Sequence, residues 1–177
     1  MSQYRWIGLE SIKIGTSSIT TLSSLMPSTF TTIQHLVPDR AYLAIELPVE
    51  TRLSREDSGI PDIIASGGSA AFIEFATRDM DLNDTFVLGF GGTTDGTVYS
   101  FPTTVQAVRE CSVRAVTGTV SGSHFMVDIP KASVRASADL RFRKLSTENG
   151  TVGFICRILQ GRTPGGTRVP PIRITKL

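Results

Sequence analysis

The sequence is short of the groups on which most enzyme chemistry runs. It has two histidines, His35 and His124, two cysteines, Cys111 and Cys156, and one tryptophan, Trp6. Zinc sites need clustered Cys and His, which these positions do not supply. A thiol nucleophile would have to draw its base from one of the two histidines, and no protease-like or redox-like sequence surrounds either cysteine. His124, beside Phe125, reads as a strand residue with a satisfied hydrogen bond. The chain is therefore read as a non-enzyme. Both cysteines lie in strand-like apolar context and are expected to be buried free thiols rather than a disulfide.

Long apolar runs are missing too. Nothing approaches the roughly 18 consecutive apolar residues of a spanning helix, and MSQYRWIGLESIKIG at the amino terminus lacks the apolar core of an export signal. Without export, the sequons Asn83-Asp84-Thr85 and Asn149-Gly150-Thr151 are chance matches. The glycine-rich GFGGTTDG (89–96) is no nucleotide loop. A dinucleotide fingerprint needs glycine where Thr94 stands, and a phosphate loop needs lysine where Thr97 stands. What remains is a hairpin turn.

Charge is sparse, at 19% of residues, which leaves outer surface for partners to cover. It is also lopsided. Residues 1–100 carry 6 Lys+Arg against 12 Asp+Glu, and residues 101–177 carry 12 against 4. Of the 18 cations 14 are arginine, the side chain suited to bidentate contact with carboxylate or phosphate. The imbalance fits an anionic partner or head-to-tail pairing between copies. It fits equally well strands from both halves mixing their charges within one sheet.

What the chain has is strands. At 177 residues it reads as a single domain spanning 1–177, able to bury roughly 70% of its unfolded surface without metal or disulfide. The organising stretch is Ser133–Gln160, two long strands joined at Thr147-Glu148-Asn149-Gly150, where Asn-Gly tolerates the positive φ of a type I′ turn. In the first strand Val134, Ala136, Ala138, Leu140 and Phe142 share one face, and Arg135, Ser137, Asp139, Arg141 and Arg143 the other. The returning strand is apolar on both faces, with Val152, Phe154, Cys156 and Ile158 on one and Ile155 and Leu159 on the other. Such a strand belongs at the centre of a sheet, with something packed over each face or against a partner subunit.

Further strands are expected at 4–13, 41–50, 69–79, 97–101, 109–119, 123–131 and 172–177. A helix capped by Ser28 is expected over 28–36, a polar loop with one helical turn near 54–57 over 51–68, and a short apolar run bounded by turns at 84–92. About ten short strands without helical periodicity give an all-β antiparallel sandwich or barrel. Loops of unequal length favour a jelly-roll (Greek-key) topology with one or two short helices in loops.

Two constellations are candidates for binding. Arg135, Arg141, Arg143 and Lys144, with Arg109, Arg114 and Arg157 on neighbouring strands, could line one sheet face as a nucleic-acid or subunit contact. The bland alternative is a solubilising face paired to Glu110, Asp139 and Glu148. Stacking aromatics are scarce there, which argues against base reading. Asp79, Asp81 and Asp84 in DMDLND offer oxygen ligands for calcium at subunit contacts. The calcium-loop pattern itself fails, with Asp84 where glycine and Phe90 where glutamate is needed, and a solvated acidic turn is the favoured reading.

The strand count, the Ser/Thr-rich first quarter and the long final hairpin resemble the coat proteins of small icosahedral RNA viruses, plant viruses especially. The resemblance is one of overall style across most of the chain. It implies a jelly-roll subunit that self-assembles in many copies into a shell around RNA, found in the virion and, during assembly, in the host cytoplasm, with no membrane partner. One departure is the amino-terminal region: residues 1–39 hold only Arg5 and Lys13 as cations, so RNA would be held by inner-surface arginines. The alternative function is a non-enzymatic β-sandwich binding module for carbohydrate or protein, with Tyr4, Trp6, Tyr42 and Tyr99 as its aromatics.

Overall fold

The computed structural model describes residues 5–37, 40–45, 50–53, 62–66, 71–79, 81–103, 109–119, 122–139 and 150–177. In chain order the strands are β1 (Arg5–Thr16), β2 (Thr31–Ile33), β3 (Tyr42–Ile45), β4 (Glu50–Leu53), β5 (Asp62–Ser66), β6 (Ala71–Thr77), β7 (Thr93–Thr94), β8 (Tyr99–Ser100), β9 (Arg109–Thr117), β10 (Phe125–Asp139), β11 (Thr151–Ile158) and β12 (Arg173–Lys176). Between β6 and β7 a π turn at Leu82–Phe86 runs into a single α-helical turn, α1 (Val87–Phe90).

Six strands close into an antiparallel barrel in the ring order β1-β3-β6-β11-β10-β9. The ring is two three-strand meanders set edge to edge. The first, β1-β3-β6, comes from the acidic half of the sequence, and the second, β9-β10-β11, from the basic half. They meet at two seams, β1–β9 and β6–β11. The halves are thus neither interleaved nor separate: each keeps its own side of one barrel. Closure removes the open sheet edges that would otherwise invite pairing. β2 and β12 add to the rim, on β1 and β10.

The barrel is filled by inward side chains. Ile12, Ile14, Leu43, Ile73, Phe75, Val113, Ala115, Val127, Ile129, Val152, Phe154 and Cys156 are all buried to within 1% of zero exposure. Val152, Phe154 and Cys156 alternate inward along β11, which has a strand on each side, so this strand does sit at the centre of the sheet. Phe154 lies opposite Phe75 across the second seam, with the rings stacked at 4.8 Å. Such stacking adds to the large apolar area each ring buries.

Three expectations are corrected. Residues 28–36 form no helix; Thr31, Thr32 and Ile33, two of them β-branched threonines beside an isoleucine, pair with β1 as a strand. Part of the expected 51–68 loop is the β4–β5 ladder, while the helical turn near 54–57 lies outside the described residues. The separate strands at 123–131 and from 133 are one strand, β10, that passes through Pro130 by a bulge between Ile129 and Ala132. Proline has no N–H for the ladder, and a bulge is where that omission is tolerated. The bulge shifts the phase, so that Val127 and Ile129 point inward before it and Ala132 and Val134 after it. The Pro130 carbonyl accepts from Ser17 Oγ (3.0 Å) and Ser112 Oγ (2.7 Å). On the outer face of β11 Ile155 is 41% exposed, so of the two expected coverings, a packed layer or a partner subunit, the described residues do not supply the first over this residue.

The helical segment follows from the topology. β6 and β9 lie opposite each other in the ring, so their link must cross an end of the barrel. Residues 82–90 make that crossing. Phe86 is buried, Leu82, Leu88 and Phe90 pack on the core, and Gly89 presses so close to Ala136 and Phe154 that a Cβ would lie 2.8 Å from the Ala136 Cβ. Arg109, where β9 starts, donates from Nη1 to the Val87 and Leu88 carbonyls. The Val87 carbonyl also accepts from the Gly91 N–H at 3.0 Å, so the guanidinium shares that acceptor and adds a donor to the Leu88 carbonyl as the turn ends.

Candidate functional site

The register places Arg109, Arg114, Arg135 and Arg157, the expected arginines that fall within the described residues. Arg135 and Arg157 stand on the outer face of β10 and β11, both exposed. Arg135 pairs with Ile155 and Ser133 with Arg157, so the two guanidiniums are diagonal neighbours. Continuing across β6, Ile155 pairs with Glu74 and Arg157 with Phe72. The outer face therefore presents a cross-strand row Arg135–Ile155–Glu74, with Arg157 and half-buried Phe72 on the next row. Arg141, Arg143, Lys144 and most of the Thr147–Gly150 turn lie outside the described residues.

Arg114 is placed differently. Its Nε and Nη2 donate to Asp128 at 2.6 and 3.0 Å, a bidentate pair between directly opposed residues of β9 and β10. Asp128 is buried, and the Arg114 guanidinium lies 5.1 Å over the Phe30 ring. The carboxylate holds the Arg114 proton more tightly than usual, outweighing the opposing effect of burial. Its charge is thus spent within the fold. Arg109 is fixed at the barrel end, as described above. Of the bland pairings, Glu110 meets Lys131 at 2.9 Å.

The three aspartates serve local turns. Asp79 Oδ1 accepts from the Asp81 N–H at 3.1 Å, and Asp81 Oδ1 from the Asp84 N–H at 2.7 Å, which makes Asp81 the cap of the helical segment. Asp84 and Asp81 are exposed. Among the described residues, no group of three or more His, Cys, Asp or Glu side chains is placed to hold a metal ion.

Both cysteines are free and buried. They face inward from β9 and β11, on either side of β10, and hydrogen-bond to each other. That contact, followed by burial, pushes the Cys156 thiol well above its ordinary range, so it stays protonated and unreactive. Of the aromatics, Tyr42 donates to Glu74 and Tyr99 to the Gly91 carbonyl (2.5 Å), while Tyr4 and the Trp6 side chain lie outside the described residues. Sequence reasoning missed Phe101. It is 62% exposed at the end of a chain of ring contacts that runs from buried Phe86 through Tyr99 at 5.4 and 4.9 Å. The signal available in the sequence was Pro102, which ends β8 and leaves Phe101 without a following strand.

No protein-family model matches the chain, and no curated protein matches it. Among the described residues no helix is long and apolar enough to cross a membrane.

Proposed function

We propose that this protein is a non-enzymatic, self-assembling structural subunit, of the kind that builds the shell of a small icosahedral RNA virus. The finer form of the proposal is that the barrel is a variant of the jelly roll used by such subunits. The observation that carries it is the row Arg135–Ile155–Glu74 on the outer face of the barrel. Its centre is an exposed isoleucine and its ends have opposite charge. A two-fold axis through Ile155 would set Arg135 of one copy against Glu74 of a second copy, and the reverse pair with it. This is the self-complementarity that a symmetric contact requires. Burying Ile155 there adds apolar area, and the charge pairs fix orientation.

Light scattering with negative-stain microscopy tests this across low and high salt. Wild type should form large particles carrying nucleic-acid absorbance, and Ile155→Asp should leave a folded barrel of monomer size. Wild-type monomers at every salt concentration would overturn the proposal. Arg135→Glu should weaken assembly, and combining it with Glu74→Arg should restore it, since the pair is then reversed.

A second reading, a binding module for carbohydrate, is favoured by exposed Phe101 beside Tyr99. An aromatic face of this sort packs on the apolar face of a sugar ring. Glycan-array binding lost in Phe101→Ala, by a protein that stays monomeric, would select it over assembly.

A further inference from the structure

The barrel rim where β1 ends and β9 begins holds a cavity of about 500 Å³, within the size range of small-molecule sites. Its inner wall is core: Ile14, Cys111 and Val134, each no more than 5% exposed. Leu88 of the crossing segment closes one side and the 27–31 segment with Phe30 the other. That segment is held close at Gly15, where a Cβ would meet the Thr29 carbonyl at 2.7 Å and Pro27 Cγ at 2.8 Å. The cavity wall is thus a built feature of the fold, set by the one residue that permits this approach.

The charge at the cavity comes from Arg109 and Glu110. Glu110 is engaged by Lys131 at 2.9 Å. Arg109 is held through Nη1 by the Val87 and Leu88 carbonyls, which orient the guanidinium and carry no net charge to neutralise it. A cavity with one apolar wall, hydroxyl side chains such as Thr16, Ser28 and Thr31 elsewhere and an oriented cation at its edge suits a molecule that is apolar at one end and anionic at the other.

We infer that this rim cavity is a binding site for a small carboxylic acid with a compact apolar group, the apolar group against Ile14, Leu88 and Val134 and the carboxylate on Arg109. The site is independent of assembly, since Ile155, Arg135 and Glu74 line no part of it.

Calorimetric titration of the full chain with 4-phenylbutyrate, and with 4-phenylbutanol as its uncharged counterpart, tests this. The acid should bind more tightly than the alcohol, and methyl resonances of Ile14, Leu88 and Val134 should shift while that of surface Ile174 does not. Arg109→Gln should weaken the acid by about tenfold or more and leave the alcohol unchanged, because a charge-assisted hydrogen bond is lost. Arg109→Lys should retain part of the preference, which separates loss of charge from loosening of the crossing segment. Leu88→Trp should fill the cavity and abolish both. The inference is overturned by absence of binding at millimolar concentration, by equal affinity for acid and alcohol, or by binding that survives Leu88→Trp in a folded protein.

Discussion

The two meanders of the barrel solve the same problem with different chemistry. Each has a polar cross-strand pair on its outer face, between directly opposed residues of neighbouring strands. In the first meander it is Tyr42–Glu74 across β3 and β6, and in the second Arg114–Asp128 across β9 and β10. The first uses a neutral donor and leaves the carboxylate negative; the second cancels two charges and seats the cation on Phe30. Among the described residues, the first meander carries Glu10, Lys13 and Glu74 toward solvent, while the cations left exposed on the second are Arg109, Arg135 and Arg157. The two halves of the sequence thus form two sides of one barrel.

The largest effect is expected where the meanders are joined. Phe154 stacks on Phe75 across the β6–β11 seam with both side chains fully buried. Phe154→Ala should cost about 3–5 kcal/mol, transfer and cavity terms together, measured by denaturant unfolding. A cost below about 1 kcal/mol would mean that the seam does not depend on this stack.

Next comes the second meander's own pair. Asp128→Ala leaves Arg114 without its carboxylate in a partly buried setting. The guanidinium is 32% exposed and so partly solvated, which lowers the expected cost to about 1–3 kcal/mol. Lys131→Ala, which breaks the more exposed bridge to Glu110, should cost less than about 1 kcal/mol. Replacing Arg114 and Asp128 together by Met and Leu should recover most of the Asp128→Ala loss, since no uncompensated charge remains. Equal costs for the two single variants would erase the distinction drawn between a buried and an exposed pair.

How much of this could be read from the residues alone differs between the two meanders as well. β11 was legible because Val152, Phe154 and Cys156 alternate without interruption, and β9 because its later, β-branched part ends at Gly118. Ring closure was not legible, since pairing β1 with β9 joins residues about a hundred positions apart and no local pattern encodes it. Ser28 misled: a good helix cap preceded Thr31, Thr32 and Ile33, and the partner strand decided the outcome. The stretch at 84–92 reads only as a short apolar run bounded by turns, and the helical conformation of 82–90 is imposed by the need to cross the barrel end. Arg114 was singled out as a possible binding residue. Its true partner could have been found by pairing the expected strands at 109–119 and 123–131, which sets it opposite Asp128.

The smallest effect concerns the first meander and is read by pH. Burial, then the hydrogen bond to Glu74 and its negative charge, push the Tyr42 phenol up to about 12 from its ordinary 10.0. A raised value means that the folded state holds the phenolic proton more tightly than the unfolded state does. The stabilisation is therefore complete below the unfolded value, and it is lost as pH rises through the folded one. Phenolate absorbance should show a late-titrating tyrosine that Tyr42→Phe removes, and the stability difference between wild type and that variant should shrink across the same alkaline window. Burial also raises the Tyr99 phenol, against the pull of Arg109. A late phase that persists in Tyr42→Phe and disappears in Tyr99→Phe would therefore move the strongest phenol from the outer pair to the aromatic chain at the barrel end. Glu74 would then be left less engaged with its own strand neighbour and more available for the proposed pairing with Arg135 of a second copy.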